Sequence, residues 1–458
     1  MHKAGQHIHF IGIGGVGMSG IAQILLGLGH KVSGSDSKAS QVTERLQAQG
    51  AVCYTGHRAH QVDGADKVVV SSAIHEDNEE LMAARSLNIP VTRRGEMLAG
   101  LMAGKKGIAV AGTHGKTTTT AMISLLLARN GLDPTILVGG ELPAIGGNAV
   151  LGQGDWLVAE ADESDGSFLL LGPVIAVVTN IEDDHLEHYG SQEEITRAFA
   201  RFLDRIPPDG TAVLCTDDAN IRAILEKYQG PYLTYGTTGS PDFLLRVLTL
   251  AGLSGTAEIS YRGRVLGRLE LGVPGRHNLL NACAAVAVGT FAGLPFPAMA
   301  AVLAEFKGVR RRFEIVGQSG GITVVDDYAH HPSEIKATLQ AATQASGGRI
   351  VACFQPHRFS RTARLAAEFA GAFDDADLVI ISDVYSAGEK PLAGVSGRSV
   401  VDAFQGKNGR VVMYRPTLRE VVDYLAGAVR PGDLVLTLGA GDIYRAGREL
   451  LTRLQDGE

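Results

Sequence analysis

Gly107-Ile108-Ala109-Val110-Ala111-Gly112-Thr113-His114-Gly115-Lys116-Thr117-Thr118-Thr119-Thr120 is an apolar strand that runs into a glycine loop and then into a helix. That order builds a phosphate cradle. Gly112 and Gly115 let the backbone turn tightly with its amides facing inward, and the helix starting near Lys116 adds the positive end of its dipole. Lys116 is placed to reach β- and γ-phosphates, and the Thr117 hydroxyl to take Mg²⁺. The loop is shorter than G-x-x-x-x-G-K-[ST], whose first glycine would fall on Val110. His114 reads as a polar loop residue rather than a catalyst.

Outward from this loop, a chain of 458 residues predicts about three domains of ordinary size. A hydrophobic fraction of 45% with 20% charged residues describes a soluble globular protein, and 58 glycines with 6% aromatics favour an α/β chain rich in tight turns. The net charge of −7 argues against a nucleic-acid surface, so an anionic substrate must be held by local cations. Cys53, Cys215, Cys283 and Cys353 lie far apart, which predicts a reduced, cytoplasmic setting and no zinc site. The N-terminus is polar and no apolar run approaches the roughly 18 residues of a membrane helix, so neither a signal peptide nor a membrane span is expected.

Upstream, residues 7–13 read as a strand, and Gly12-Ile13-Gly14-Gly15-Val16-Gly17 then spells G-x-G-x-x-G ahead of a helix with Met18, Ile21, Leu25 and Leu28 on one face. This opens a Rossmann-like unit. Asp36, at the end of the next strand, stands where a ribose hydroxyl could be read. Two readings stay open: Gly12, Gly14, Gly15 and Gly17 bind a diphosphate, or they serve only close packing. Residues 103–107 read as a linker.

Downstream, the strand from Trp156 to Glu160 ends in Ala161-Asp162-Glu163-Ser164-Asp165, and the run from Val174 to Val178 ends in Thr179-Asn180-Ile181-Glu182-Asp183-Asp184-His185. Apolar strands ending in carboxylates are where nucleotide enzymes place a metal, so a metal site is expected at these two strand ends. The two strands are expected to be neighbours. Residues 243–270 alternate polar and apolar as a small antiparallel excursion, and Pro274 to Asn281 opens an apolar helix. After Arg310-Arg311-Arg312, either a solvated hinge or an anion site, the strand-then-helix rhythm returns. Polar residues again gather at strand ends: Asp326 to Pro332, Gln355 to Thr362, Asp383 to Glu389 and Gly439 to Tyr444. Arg358 and Arg361, three apart at a helix start, suit an anion.

Taken together, Ile11 to Gly20, Gly112 to Thr120, Glu160 to Phe168, Asn180 to His185, Asp326 to Pro332 and Pro356-His357-Arg358 resemble the Mur ligase family of peptidoglycan synthesis over essentially the whole chain. The resemblance implies three domains: a Rossmann-like UDP-sugar domain (1–104), a central P-loop ATPase domain with a mostly parallel sheet (105–308) and a Rossmann-like amino-acid domain (309–458). It implies ATP and Mg²⁺, with UDP-N-acetylmuramate and L-alanine as substrates and an acyl-phosphate intermediate. Under it, Gly112, Thr113, His114, Gly115, Lys116, Thr117 and Thr118 hold ATP, Asn278 contacts adenine, and Gly12, Gly14, Gly15, Gly17 and Asp36 hold the UDP-sugar. Tyr328, Arg358 and Arg361 would line the amino-acid pocket, with Lys116, Glu160, His185 and His330 as the catalytic set and Thr117, Glu160 and His185 as the metal ligands. Many sister ligases carry a carbamylated lysine after the Asp-His pair, yet no lysine lies between His185 and Glu226 here. A murein-peptide recycling ligase is the nearest alternative. A non-catalytic nucleotide sensor and an NAD-dependent dehydrogenase are the rivals from other classes. The sequence leaves the oligomeric state open between monomer and homodimer.

Overall fold

The computed structural model describes residues 5–184, 186–404 and 411–456, and it resolves the strand-then-helix rhythm into three sheets. The first contains β1 (His7–Ile11), β2 (Lys31–Asp36), β3 (Val52–Thr55), β4 (Lys67–Val70) and β5 (Val91–Arg93) in the order β3-β2-β1-β4-β5, all neighbours parallel. The order reverses at β1, so the glycine loop that follows β1 sits where open α/β sheets take ligands.

The second sheet has ten strands. They are β6 (Lys106–Ala111), β7 (Thr135–Leu142), β8 (Gly147–Val150), β9 (Trp156–Glu160), β10 (Ile175–Val178), β11 (Thr211–Cys215), β12 (Tyr232–Gly236), β13 (Phe243–Ala251), β14 (Ser254–Tyr261) and β15 (Arg264–Leu271). Their order is β15-β14-β13-β12-β11-β10-β6-β9-β7-β8. Two expectations are corrected here. Strands β9 and β10 are not neighbours, because β6 pairs with both and carries the phosphate loop between their acidic ends. Lys106 and Gly107 belong to β6 and not to a linker, since Lys106 N–H already donates to Asp155 O at 2.7 Å.

The third sheet comprises β16 (Glu314–Ser319), β17 (Ile322–Asp327), β18 (Ile350–Phe354), β19 (Leu378–Ile381), β20 (Val411–Tyr414) and β21 (Leu434–Leu438) in the order β16-β17-β21-β18-β19-β20. Only the β16–β17 pair is antiparallel among its described pairings. The chain packs as two compact units. One is Met1–Arg246, Glu258–Arg268 and Leu280–Leu303; the other is Val247–Ala257, Leu269–Leu279 and Ala304–Glu458.

Two helices hold the phosphate-loop region. Lys116–Arg129 opens with four successive threonines, which are poor helix formers because branching at Cβ restricts χ1. It stands because Thr117 through Leu127 are all buried, and Thr120 Oγ1 donates a hydrogen bond to Lys116 O at 2.8 Å. Gln192–Leu203 is amphipathic, with Ile195, Phe199 and Phe202 on its buried stripe. Phe199 and Phe202 close on Phe168, with ring centroids 5.2 and 5.1 Å away. Each such side chain contributes roughly 1.5–3 kcal/mol on burial, enough to anchor the acidic segment that ends in Phe168. Among the described residues no helix is long and apolar enough to cross a membrane.

Candidate active site

The phosphate loop is fixed by the end of β10. Gly112 has φ +131°, and a Cβ there would meet Thr179 Oγ1 at 2.1 Å, so only glycine fits. Thr179 Oγ1 donates to His114 O at 2.6 Å, His114 N–H to Asn180 Oδ1 at 2.8 Å and Glu182 N–H to Thr113 Oγ1 at 2.8 Å. The His114 ring lies 3.3 Å from Glu182 Oε2. Thr118 is buried in the first turn of the helix. Asn281, which the sequence offered only as part of a helix start, lies against the loop: a Cβ on Gly115 would sit 2.7 Å from its Oδ1.

Lys116 Nζ donates to Gly112 O at 2.5 Å, to Thr113 O at 3.1 Å and to Glu163 Oε1 at 2.6 Å. Burial alone would lower its pKa, but Glu163, Glu160 and Asp162 together outweigh that and hold it above the usual lysine value. Sequence reasoning had not assigned Glu163 this part. Beside the lysine, Thr117 Oγ1 lies 3.1 Å from both carboxylate oxygens of Glu160, and Gly139 N–H donates to Glu160 Oε2 at 2.8 Å. A hydroxyl and a carboxylate aimed at one another are hard oxygen donors, the set that suits Mg²⁺. His185, the remaining expected ligand, lies outside the described residues.

The glycine loop after β1 is also braced. Gly12 N–H and Ile13 N–H donate to Ser35 O at 2.8 and 2.9 Å, and Gly14 N–H donates to Asp36 Oδ2 at 3.0 Å. Asp36, expected at a ribose, thus holds the loop here through one oxygen. Gly15 is the N-cap of the helix Val16–Gly27. Behind the loop, the fully buried Glu80 accepts from Ser35 Oγ at 2.5 Å and bonds His9 Nε2 at 3.0 Å and His57 Nδ1 at 2.7 Å. Burial works to raise its pKa, but these bonds prevail and hold it below the usual carboxylate range. No sequence signal pointed to this network, because its members come from four separate segments.

Gly17 makes room for Arg94, whose Cδ would lie 3.0 Å from a Cβ at that position. Arg94 Nη2 in turn donates to Asp162 Oδ2 at 2.8 Å, two residues beyond Glu160. A cavity of about 270 Å³ joins the two loops, lined by Gly17, Arg94, Lys116, Gly139, Glu160 and Asp162 among others.

In the other compact unit, Tyr328, His330, His357 and Tyr385 form a row, with successive ring centroids 5.4, 5.6 and 5.9 Å apart. His330 Nδ1 is 3.0 Å from Tyr328 O and 3.2 Å from Glu334 Oε2. Arg361 is buried in the first turn of Phe359–Ala372, with Nη1 3.4 Å from His357 Nδ1, while Arg358 is the N-cap of that helix at φ +67°. His357 and Tyr385 are additions to the expected set; the separation in sequence hid their pairing. Arg311 is not a solvated hinge: its guanidinium lies 5.0 and 4.7 Å from the Tyr328 and Tyr444 rings and 3.0 Å from Asp326 Oδ2. Burial pushes Asp327 up to about 6, against the pull of Arg312 and of the Ala329 and Phe313 amides. Asn278, in the first turn of Arg276–Phe291, donates to Pro274 O at 2.7 Å.

Comparison with known proteins matches residues 7–106 to the Mur ligase family catalytic domain, 110–289 to the Mur ligase middle domain and 311–441 to the Mur ligase glutamate ligase domain. The UDP-N-acetylmuramate–L-alanine ligase of Pelotomaculum thermopropionicum is 57% identical over 99% of this chain and 98% of its own. That of Desulforamulus reducens is 53% identical over 98% of both. The crystal structure of UDP-N-acetylmuramate-alanine ligase from Thermotoga maritima superposes with a TM-score of 0.86 at 31% identity, covering 99% of this chain and 100% of that one.

Proposed function

The chain belongs to the Mur ligase family, and from that premise we propose that its site joins L-alanine to the carboxylate of UDP-N-acetylmuramate with cleavage of ATP to ADP and phosphate. One observation carries this reading: a phosphate loop bearing Lys116 and a diphosphate-type glycine loop share a single cavity. A sensor would have no need to place two nucleotide sites within reach of one another. A hydride-transferring enzyme would have no use for Lys116 and the Thr117–Glu160 pair.

A carboxylate is a poor acylating agent, and phosphorylation gives it a leaving group. The carboxylate oxygen attacks the γ-phosphorus of ATP, the bond to the β-bridging oxygen breaks, and ADP leaves. The amine of alanine then adds to the acyl phosphate carbon and phosphate departs with the electron pair. Lys116 neutralises charge on the transferring phosphoryl group, and Thr117 and Glu160 would hold Mg²⁺, which when bound supplies further positive charge at the phosphates. The amine must shed a proton as the amide forms. His330, whose Nδ1 lies 3.0 Å from Tyr328 O and 3.2 Å from Glu334 Oε2, would receive it. Arg358 and Arg361 would hold the carboxylate of alanine, and Asn278 the adenine.

Phosphate release measured with ATP, UDP-N-acetylmuramate and L-alanine tests the reading directly. Turnover should require all three. Release that ignores the sugar nucleotide, or that proceeds as well with a murein peptide as with alanine, would overturn it.

A further inference from the structure

We propose that Arg94 receives the carboxylate of the sugar nucleotide at the phosphate loop, giving up Asp162 to do so; the proposal rests on the ligase reading above. Arg94 stands at the first position of Arg94–Met102, packed over Gly17 of the glycine loop on one side and bonded to Asp162 on the other. Its side chain is 16% exposed and lines the cavity that also contains Lys116 and Glu160. A molecule whose diphosphate rests on the glycine loop and whose carboxylate must reach the γ-phosphate passes Arg94 on the way.

The charges of the cavity call for such a partner. Glu160 and Asp162 both line it, so an incoming carboxylate is repelled unless a cation meets it. Lys116 is committed to the phosphate loop and to the phosphates of ATP. Arg94 is the other cation among the described lining residues, and its planar fork suits a carboxylate. The exchange is made easy by an asymmetry at Asp162. Its Oδ1 already accepts from Ser164 N–H at 3.0 Å and Ser164 Oγ at 2.6 Å, so the carboxylate stays bonded when Arg94 turns away from Oδ2. The base of Arg94 is meanwhile fixed, because Glu96 Oε2 accepts from Arg93 N–H at 2.8 Å and Gly95 approaches Ser167 too closely for any side chain.

Equilibrium binding of two probes, without ATP, tests this. UDP-N-acetylmuramate carries the carboxylate, and UDP-N-acetylglucosamine has the same diphosphate without it. Arg94→Gln should weaken the first by about tenfold or more, the loss of a charge-assisted bond, and leave the second within about twofold. Arg94→Lys, which keeps the charge, should recover part of the loss. Asp162→Asn removes a repelling charge and loosens the hold on Arg94, which keeps Asp165 at 3.8 Å and Ser167 Oγ at 3.5 Å, so it should tighten the first probe alone, and the gain should shrink in the double variant Arg94→Gln/Asp162→Asn. Equal weakening of both probes by Arg94→Gln would assign Arg94 to the diphosphate and overturn the proposal, as would an Asp162→Asn gain as large in the double variant as in the single one. If Arg94→Gln does not fold, Arg94→Lys decides by the same comparison: weakening of the first probe alone supports the proposal, and equal weakening of both probes or of neither overturns it. Wild-type protein that binds UDP-N-acetylglucosamine but not UDP-N-acetylmuramate would instead remove the ligase reading itself.

Discussion

Lys116 Nζ and Glu163 Oε1 lie 2.6 Å apart although 47 residues separate them, and their side chains are only 16% and 3% exposed. ATP must therefore draw the ammonium from a buried ion pair. Lys116→Ala should abolish turnover, because the lost cation acts where charge develops. It should also cost about 3–5 kcal/mol of stability by stranding Glu163. The double variant Lys116→Ala/Glu163→Gln should regain most of the stability and none of the turnover, as read by urea unfolding and phosphate release. A well-folded Lys116→Ala protein with near-normal kcat would sink the assignment of the phosphate loop.

Gly139 and Glu160 give a separate handle on the metal. The Gly139 amide holds Glu160 Oε2, and a Cβ at Gly139 would lie 2.0 Å from that oxygen. Gly139→Ala should push the carboxylate off the Thr117 hydroxyl, raise the Mg²⁺ concentration needed for half-maximal rate and lower kcat, while leaving UDP-sugar affinity near its wild-type value. Unchanged metal dependence would remove Glu160 from the metal set.

What the sequence made legible follows from how these elements are held. Buried parallel strands are continuous apolar runs, so β9 was readable residue for residue, and the polar turns after β18, β19 and β21 stood out at the strand ends. Strand order was not readable. That β6 lies between β9 and β10 depends on crossovers, and nothing local in either strand records its neighbour. Edge strands such as β8 and β16 carry little alternation and went unnoticed. Within the site, loop residues announced themselves through glycine spacing. Glu163, Asn281 and Arg94 did not, because their importance lies in partners distant along the chain. Arg311 shows the same limit: three successive arginines look like a solvated face until two tyrosine rings from elsewhere close around one of them.

Asp327 predicts a pH dependence of stability. Its pKa is raised from 3.8 to about 6, so the folded chain binds a proton more tightly than the unfolded one. The stability this lends is present below pH about 4 and is lost as pH rises through about 6, a change on the order of 3 kcal/mol. Urea unfolding of wild type and Asp327→Asn at several pH values between about 4 and 7 should show the wild type falling relative to the variant across that window. A constant offset between the two would mean that Asp327 titrates normally.

The final prediction concerns the amino acid. Alanine brings a carboxylate that must be held aside so that only its amine reaches the acyl phosphate, which calls for a fixed cation at one end of a small pocket. Arg361 meets that need: it is buried, it lies in the first turn of a helix, and its guanidinium is steadied 3.4 Å from His357, which stacks on Tyr385 and neighbours His330. A bond to a charged group contributes about 1.5–3 kcal/mol, so Arg361→Ala should raise the KM for L-alanine by roughly ten- to two-hundredfold. Arg361→Lys should recover little, since an ammonium cannot reproduce the planar fork. Arg358→Ala should act in the same direction, and the KM values for ATP and UDP-N-acetylmuramate should stay close to wild type in each variant. If these substitutions weaken ATP and spare alanine, the two arginines serve the phosphoryl group and the amino-acid pocket lies elsewhere.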